Sequence, residues 1–178
     1  MFTRFTEPAT RTMVRAGMLA LDAGRPTLST DLLLLALAET RPFALDAFTA
    51  TPEAVRGHVD TGDAHALLAT LGIDLAEVRR RIRPGTGDPT RWRLTRSRLR
   101  PLRVTLYGPL GAIPLAMHAR KAVEVAQALR RPGPVTGESL LWGLLADGSN
   151  GAARILRATG VDLCALVRET GMPVRRAA

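Results

Sequence analysis

Apolar residues recur at helical spacing in blocks along the chain, and each block opens on a residue able to cap a helix. The first begins at Thr6, with Pro8 in a first turn that tolerates proline. It sets Met13, Ala16, Gly17 and Ala20 or Leu21 on one face, and Gly24 supplies its stop. A second block, capped by Ser29 or Thr30, carries Asp31 in its first turn, where a carboxylate meets the positive end of the helix dipole. From Leu32 to Ala38 it is apolar nearly all round, which predicts the buried centre of a helical unit. Thr51-Pro52-Glu53 again reads as cap, first-turn proline and acid; helices over 64–71 and 75–81, hinged at Gly72, complete the unit. In the second half the same reading predicts helices over 115–129, 138–146, 152–158 and 163–169, the last capped by Asp162. Strand-like alternation occurs only around 91–94 and 103–107. The predicted class is mainly α, with a short β-hairpin between the halves.

The two halves resemble each other. Leu71-Gly72-Ile73-Asp74-Leu75-Ala76-Glu77-Val78-Arg79 returns as Thr159-Gly160-Val161-Asp162-Leu163-Cys164-Ala165-Leu166-Val167-Arg168, with one residue inserted. Ser29-Thr30-Asp31-Leu32-Leu33 returns as Thr136-Gly137-Glu138-Ser139-Leu140, and the block around Ala9 matches the one around Ala119. Three matches in one order point to a duplicated unit. The first copy carries an extra stretch centred on 41–61. The organisation expected is a first repeat over 1–82, a linker over 83–111, a second repeat over 112–171 and a tail over 172–178.

Length and composition narrow the class. At 178 residues there is chain for one moderate domain or two small units sharing a core. With only 4% aromatic residues, Leu, Ala and Val must supply that core. No apolar run approaches the roughly 18 residues that span a bilayer, and no secretory leader is evident, so no membrane partner is expected. A single cysteine, Cys164, excludes an internal disulfide and fits a reducing compartment, so a cytoplasmic location is expected. The net charge of +9 is concentrated between Arg79 and Arg103, where ten arginines face one acid, Asp88.

The segments Met1-Phe2-Thr3-Arg4-Phe5-Thr6-Glu7-Pro8-Ala9, Leu28-Ser29-Thr30-Asp31-Leu32 and Leu71-Gly72-Ile73-Asp74-Leu75 resemble the N-terminal domain of Clp ATPases, closest to the ClpC type. The resemblance implies a tandem, pseudo-twofold pair of four-helix repeats that binds peptides or proteins rather than catalysing a reaction. No phosphate loop of the ATPase modules is present, and the single lysine, Lys121, has no glycine beside it. A free-standing domain of this kind, without cofactor or metal, would recognise marked or unfolded substrates or an adaptor, or sequester their ligands.

In that family an acid at each repeat's Gly-Thr-Glu-His segment helps bind phosphoarginine. A helix N-terminus suits phosphate, and a carboxylate suits the guanidinium. The matching positions are Thr30 and Asp31 in the first repeat, and Gly137 and Glu138 in the second. The alternative reading is that both acids only cap helices. The family's apolar cleft, which takes adaptors and cyclic peptide antibiotics, maps to Phe2, Leu115 and Arg120; Phe5 reads equally well as core. A competing function, nucleic-acid binding, rests on Arg91, Arg93, Arg96, Arg98, Arg100 and Arg103, with Trp92 placed to stack on a base. The His58-x-Asp60-x2-Asp63-x-His65 cluster reads as a polar loop rather than a metal site, His118 as a surface residue and Cys164 as a small core residue.

Overall fold

A computed structural model describes residues 4–59, 85–97, 103–129 and 133–170. Among these the chain forms seven α-helices, one 3-10 turn and three strands. The helices are α1 (Glu7–Asp22), α2 (Thr30–Thr40), α3 (Pro52–Arg56), α4 (Met117–Leu129), α5 (Gly137–Leu145), α6 (Gly151–Ala158) and α7 (Leu163–Glu169). The strands are β1 (Arg93–Arg96), β2 (Val104–Gly108) and β3 (Gly111–Pro114), preceded by the 3-10 turn Pro89–Arg91. The helices expected over 64–71 and 75–81 lie outside the described residues, as does the second copy's partner motif at Gly72.

The capping residues act as their chemistry requires. Thr6 accepts from the Ala9 N–H, Thr51 from Ala54, and Asp162 from both Cys164 and Ala165. Thr136 and Ser139 form a reciprocal capping box on α5. Pro8 and Pro52 both fall in first turns, where a missing N–H costs nothing. As its all-apolar pattern implies, α2 is central: Leu32 to Ala38 are all buried, and it packs on α1, α3, α4, α5 and α6. Among the described helices, α1 with α2 and α4 with α5 make the most extensive contacts.

The expected hairpin is real and one strand larger. The sheet is antiparallel in the order β1-β2-β3, with Leu94 opposite Leu106 and Leu106 opposite Ile113. These three residues, with Trp92 and Val104, point inward and join the helical core. The stretch 83–111 is therefore built into the fold where it is described. On β1, Leu94 is buried between the exposed Arg93 and Thr95, as on a half-buried strand, and Arg96 is exposed where the strand ends.

Two backbone contacts join the halves, and they mirror one another. Phe5, just before α1, pairs parallel with Val135, just before α5. Leu28, just before α2, pairs parallel with Leu115, just before α4. The bonds correspond one to one: Thr6 N–H donates to Val135 O and Val135 N–H to Arg4 O, while Ala116 N–H donates to Leu28 O and Leu28 N–H to Pro114 O. Phe5 is buried, as its core reading expects.

The stretch centred on 41–61 is packed onto the body up to Val59. Arg41 ends α2 at φ 39°, a left-handed geometry usually left to glycine. Its guanidinium holds the Ala50 carbonyl at 3.1 Å and lies over the Phe48 ring, which meets Phe43 edge-on. From the other half, the Glu169 carboxylate accepts the Asp46 and Ala47 N–H groups, each at 2.7 Å. Phe48 and Val55 are buried beneath.

Between α5 and α6, Asp147 gathers the turn. It accepts from the Ser149 hydroxyl at 2.6 Å and the Ser149 N–H at 3.1 Å, and meets His118 Nδ1 of α4 at 3.1 Å. Those bonds, with Lys121 nearby, hold its carboxyl well below the usual carboxylate range. A lowered folded-state pKa contributes stability above the unfolded value, near 3.8, and loses it as pH falls towards the folded value. Asp147→Asn should therefore be less stable than the parent at pH 7, and the gap should narrow steadily below about pH 4. Urea midpoints measured from pH 7 to pH 2 check this; a gap independent of pH contradicts it.

Candidate functional site

The residues expected to bind ligand sit where the sequence placed them, at the N-termini of α2 and α5, but the two positions are not equally open. At α2, Thr30 and Asp31 line a cavity of about 500 Å³. Arg25 and Ser29 line it from the segment before the helix, His58 comes from the extra stretch, and Gly151, Arg154, Ile155 and Ala158 form the α6 wall. Such a volume lies within the range of small-ligand sites. The cavity thus lies between an element of the first half and one of the second.

Its electrostatics differ from those the resemblance implies. Among the described residues Asp31 is the single acid on the wall, and its carboxylate is already paired with Arg25 Nη1 at 3.2 Å. The same nitrogen reaches the Ser29 hydroxyl at 3.3 Å. Ser29 holds the cap position with no side-chain bond to the helix, its carbonyl accepting the Leu33 N–H at 3.2 Å. The Thr30 side chain is 5% exposed, and its hydroxyl makes no hydrogen bond among the described residues. Opposite, Gly151 leaves room: a Cβ there would lie 3.3 Å from the Thr30 hydroxyl. The Arg154 side chain is exposed on α6 and has no ion-pair partner among the described residues.

The α5 position is filled. Thr136 and Ser139 satisfy each other in the capping box, and Gly137 is buried beneath Pro42. A Cβ on Gly137 would sit 2.4 Å from Pro42 Cγ and 2.7 Å from its carbonyl oxygen, so the glycine is required by that approach. Glu138 is half-buried on the same first turn. The extra stretch thus places His58 at one site and a proline plug at the other, which sequence spacing could not show.

Of the residues mapped to an apolar cleft, two are described. Leu115 is buried at its backbone pairing with Leu28, Arg120 is half-buried on α4, and Phe2 lies outside the described residues. On the basic strip, Arg91, Arg93 and Arg103 are exposed and Arg96 pairs with Glu124 of α4. Arg98 and Arg100 lie outside the described residues. Trp92 corrects an expectation. It is 2% exposed, and its indole N–H donates to Thr86 O at 2.6 Å, so the ring is not offered to a base. Cys164 corrects another: it is exposed on α7, one position out of the buried stripe that contains Leu166. His118 is exposed, as expected. Of the His58 to His65 cluster, only His58 is described.

The fold defines a helical protein with a small antiparallel sheet and a cavity at the head of its central helix. No helix among the described residues is long and apolar enough to cross a membrane. In comparisons with known families and with curated proteins, the chain matches no family model and no curated protein.

Proposed function

We propose that the chain is a duplicated peptide- and protein-binding module related to the N-terminal domain of ClpC-type Clp ATPases. The observation that carries this reading is the mirrored pairing of the segments leading into the helices. Phe5 and Leu115 stand four residues before the matched pair Ala9 and Ala119; Leu28 and Val135 stand three before the matched pair Asp31 and Glu138. Exchanging the halves therefore turns each backbone bridge into the other. A pseudo-twofold repeat requires that, and two unrelated helical halves would have no reason to satisfy it. The open cavity at Thr30 and Asp31 falls where the family's ligand acid belongs.

Its role is to bind unfolded or marked polypeptide, or an adaptor, as a non-catalytic partner in Clp-dependent proteolysis, and cyclic peptides directed at ClpC are further candidate ligands. The nucleic-acid alternative keeps its exposed arginines but loses Trp92 as a stacking surface. Fluorescence anisotropy separates the two. A labelled, permanently unfolded polypeptide should bind with micromolar affinity and shallow salt dependence. No binding of that polypeptide, together with steeply salt-dependent binding of single-stranded DNA, would replace this reading with the alternative.

A further inference from the structure

The two helix heads that match in sequence have been given opposite treatments: α5 is plugged by Pro42, while α2 opens on a cavity whose acid is already neutralised. We infer that the α2 cavity is an oxyanion pocket for a phosphomonoester-bearing side chain, such as phosphoserine in a peptide, and that it discriminates against a guanidinium. This rests on the peptide-recognition reading and names the ligand class for that site.

Charge is the first argument. Arg25 and Asp31 cancel, so among the described residues the charge left on the wall is positive and belongs to Arg154, with the His58 ring also on the wall. The second is the Thr30 hydroxyl. It belongs to a residue that is 5% exposed, makes no hydrogen bond among the described residues, and lies on the cavity wall across from the gap left by Gly151, so it is available to an incoming oxyanion. The third is the head of α2 itself. The Ser29 side chain makes no capping bond, which leaves the first-turn N–H groups and the dipole at the head of the helix for a ligand. Ile155 and Ala158 supply an apolar wall for the carbon chain carrying the phosphate. About 500 Å³ exceeds what a bare phosphate fills and leaves room for a residue.

Phosphoarginine would bring the right anion and the wrong cation. Its guanidinium needs a carboxylate acceptor, and Asp31 is occupied by Arg25 at 3.2 Å. Desolvating those N–H donors beside Arg25 and Arg154 without an acceptor should cost about tenfold or more in affinity.

Calorimetric titration of the whole chain tests this with four probes: a phosphoserine peptide, its unphosphorylated twin, phosphoarginine and inorganic phosphate. The phosphopeptide should bind at least about tenfold tighter than its twin, and phosphoarginine no tighter than inorganic phosphate. Arg154→Ala removes an exposed charge without touching the core, and should weaken the phosphopeptide about tenfold. Thr30→Val keeps the buried shape, removes the hydroxyl, and should weaken it about fivefold. Arg25→Ala releases Asp31 and should raise phosphoarginine affinity relative to the phosphopeptide. Equal binding of the two peptides, unmoved by Arg154→Ala, overturns the pocket while leaving peptide recognition standing. Phosphoarginine binding tighter than the phosphopeptide in the parent overturns the discrimination. Inorganic phosphate binding as tightly as the phosphopeptide overturns the peptide assignment in favour of free phosphate. Silence from all four probes overturns the pocket, and the unfolded-polypeptide titration then judges the broader reading alone.

Discussion

Replacing Gly143 with alanine should destabilise the protein by about 3 kcal/mol or more, although alanine is the better helix former. Intrinsic propensity alone predicts the opposite sign, a gain of about 1 kcal/mol for removing a helical glycine. Packing decides against it. An alanine Cβ at 143 would stand 2.1 Å from the Ala122 carbonyl oxygen, 2.8 Å from its carbonyl carbon and 3.2 Å from its Cα. All three are backbone atoms of α4, so no side chain can swing aside; the two helices must separate. The residues that would part, Val123, Leu140 and Leu144, are fully buried. In a protein of this size 3 kcal/mol corresponds to a fall of about 6–12 °C in Tm. Gly57→Ala is the matched control: its φ is −60°, and a Cβ there would meet nothing closer than 3.6 Å. Thermal melts should leave Gly57→Ala at or slightly above the parent and drop Gly143→Ala well below it. A Gly143→Ala protein as stable as the parent would contradict the close helix contact.

Much of the helical architecture was legible because its signals are local. Thr6 with Pro8, Thr51 with Pro52, and Asp162 each mark a helix start through bonds made within three residues. The burial of Leu32 to Ala38 followed from a helix with no polar face. Alternation also revealed β1 and β2, whose inward Leu94 and Leu106 stand opposite each other. β3 was not legible: Gly-Ala-Ile-Pro offers one buried residue, Ile113, and its strand character comes from pairing with β2. The extra stretch hid its role for the same reason. Pro42, His58 and Asp46 acquire meaning only against Gly137, the α2 cavity and Glu169, all supplied by other elements.

The site shows the same division. Helix-head positions for Thr30, Asp31, Gly137 and Glu138 could be read from capping chemistry, and the structure puts all four there. Which head is open could not, because Arg25 and Pro42 decide it through tertiary contacts. Gly137 illustrates the limit. As a sequence feature it is only the position matched to Thr30; in the fold it is the space that Pro42 occupies.

Trp92→Ala should cost about 3–5 kcal/mol, the range for emptying a large aromatic site in a packed core. The indole is wedged where two glycines allow it: a Cβ on Gly17 would lie 2.8 Å from the ring, and one on Gly108 2.5 Å. It therefore ties α1 to β2 as well as filling space. Its N–H bond to Thr86 O, at 2.6 Å, adds a second cost, because truncation leaves a buried carbonyl without its donor. Trp92→Phe separates the two contributions: it keeps most of the ring volume, loses the bond, and should cost about 1–3 kcal/mol. Urea denaturation gives both values. In a Trp142→Phe background the remaining Trp92 should emit as a buried indole that acrylamide reaches only on unfolding. A base-stacking surface residue would behave in the reverse way, leaving stability within about 0.5 kcal/mol of the parent when truncated and quenching readily in the native state. A Trp92→Ala protein of parental stability would therefore remove the indole from the core and return it to the basic strip.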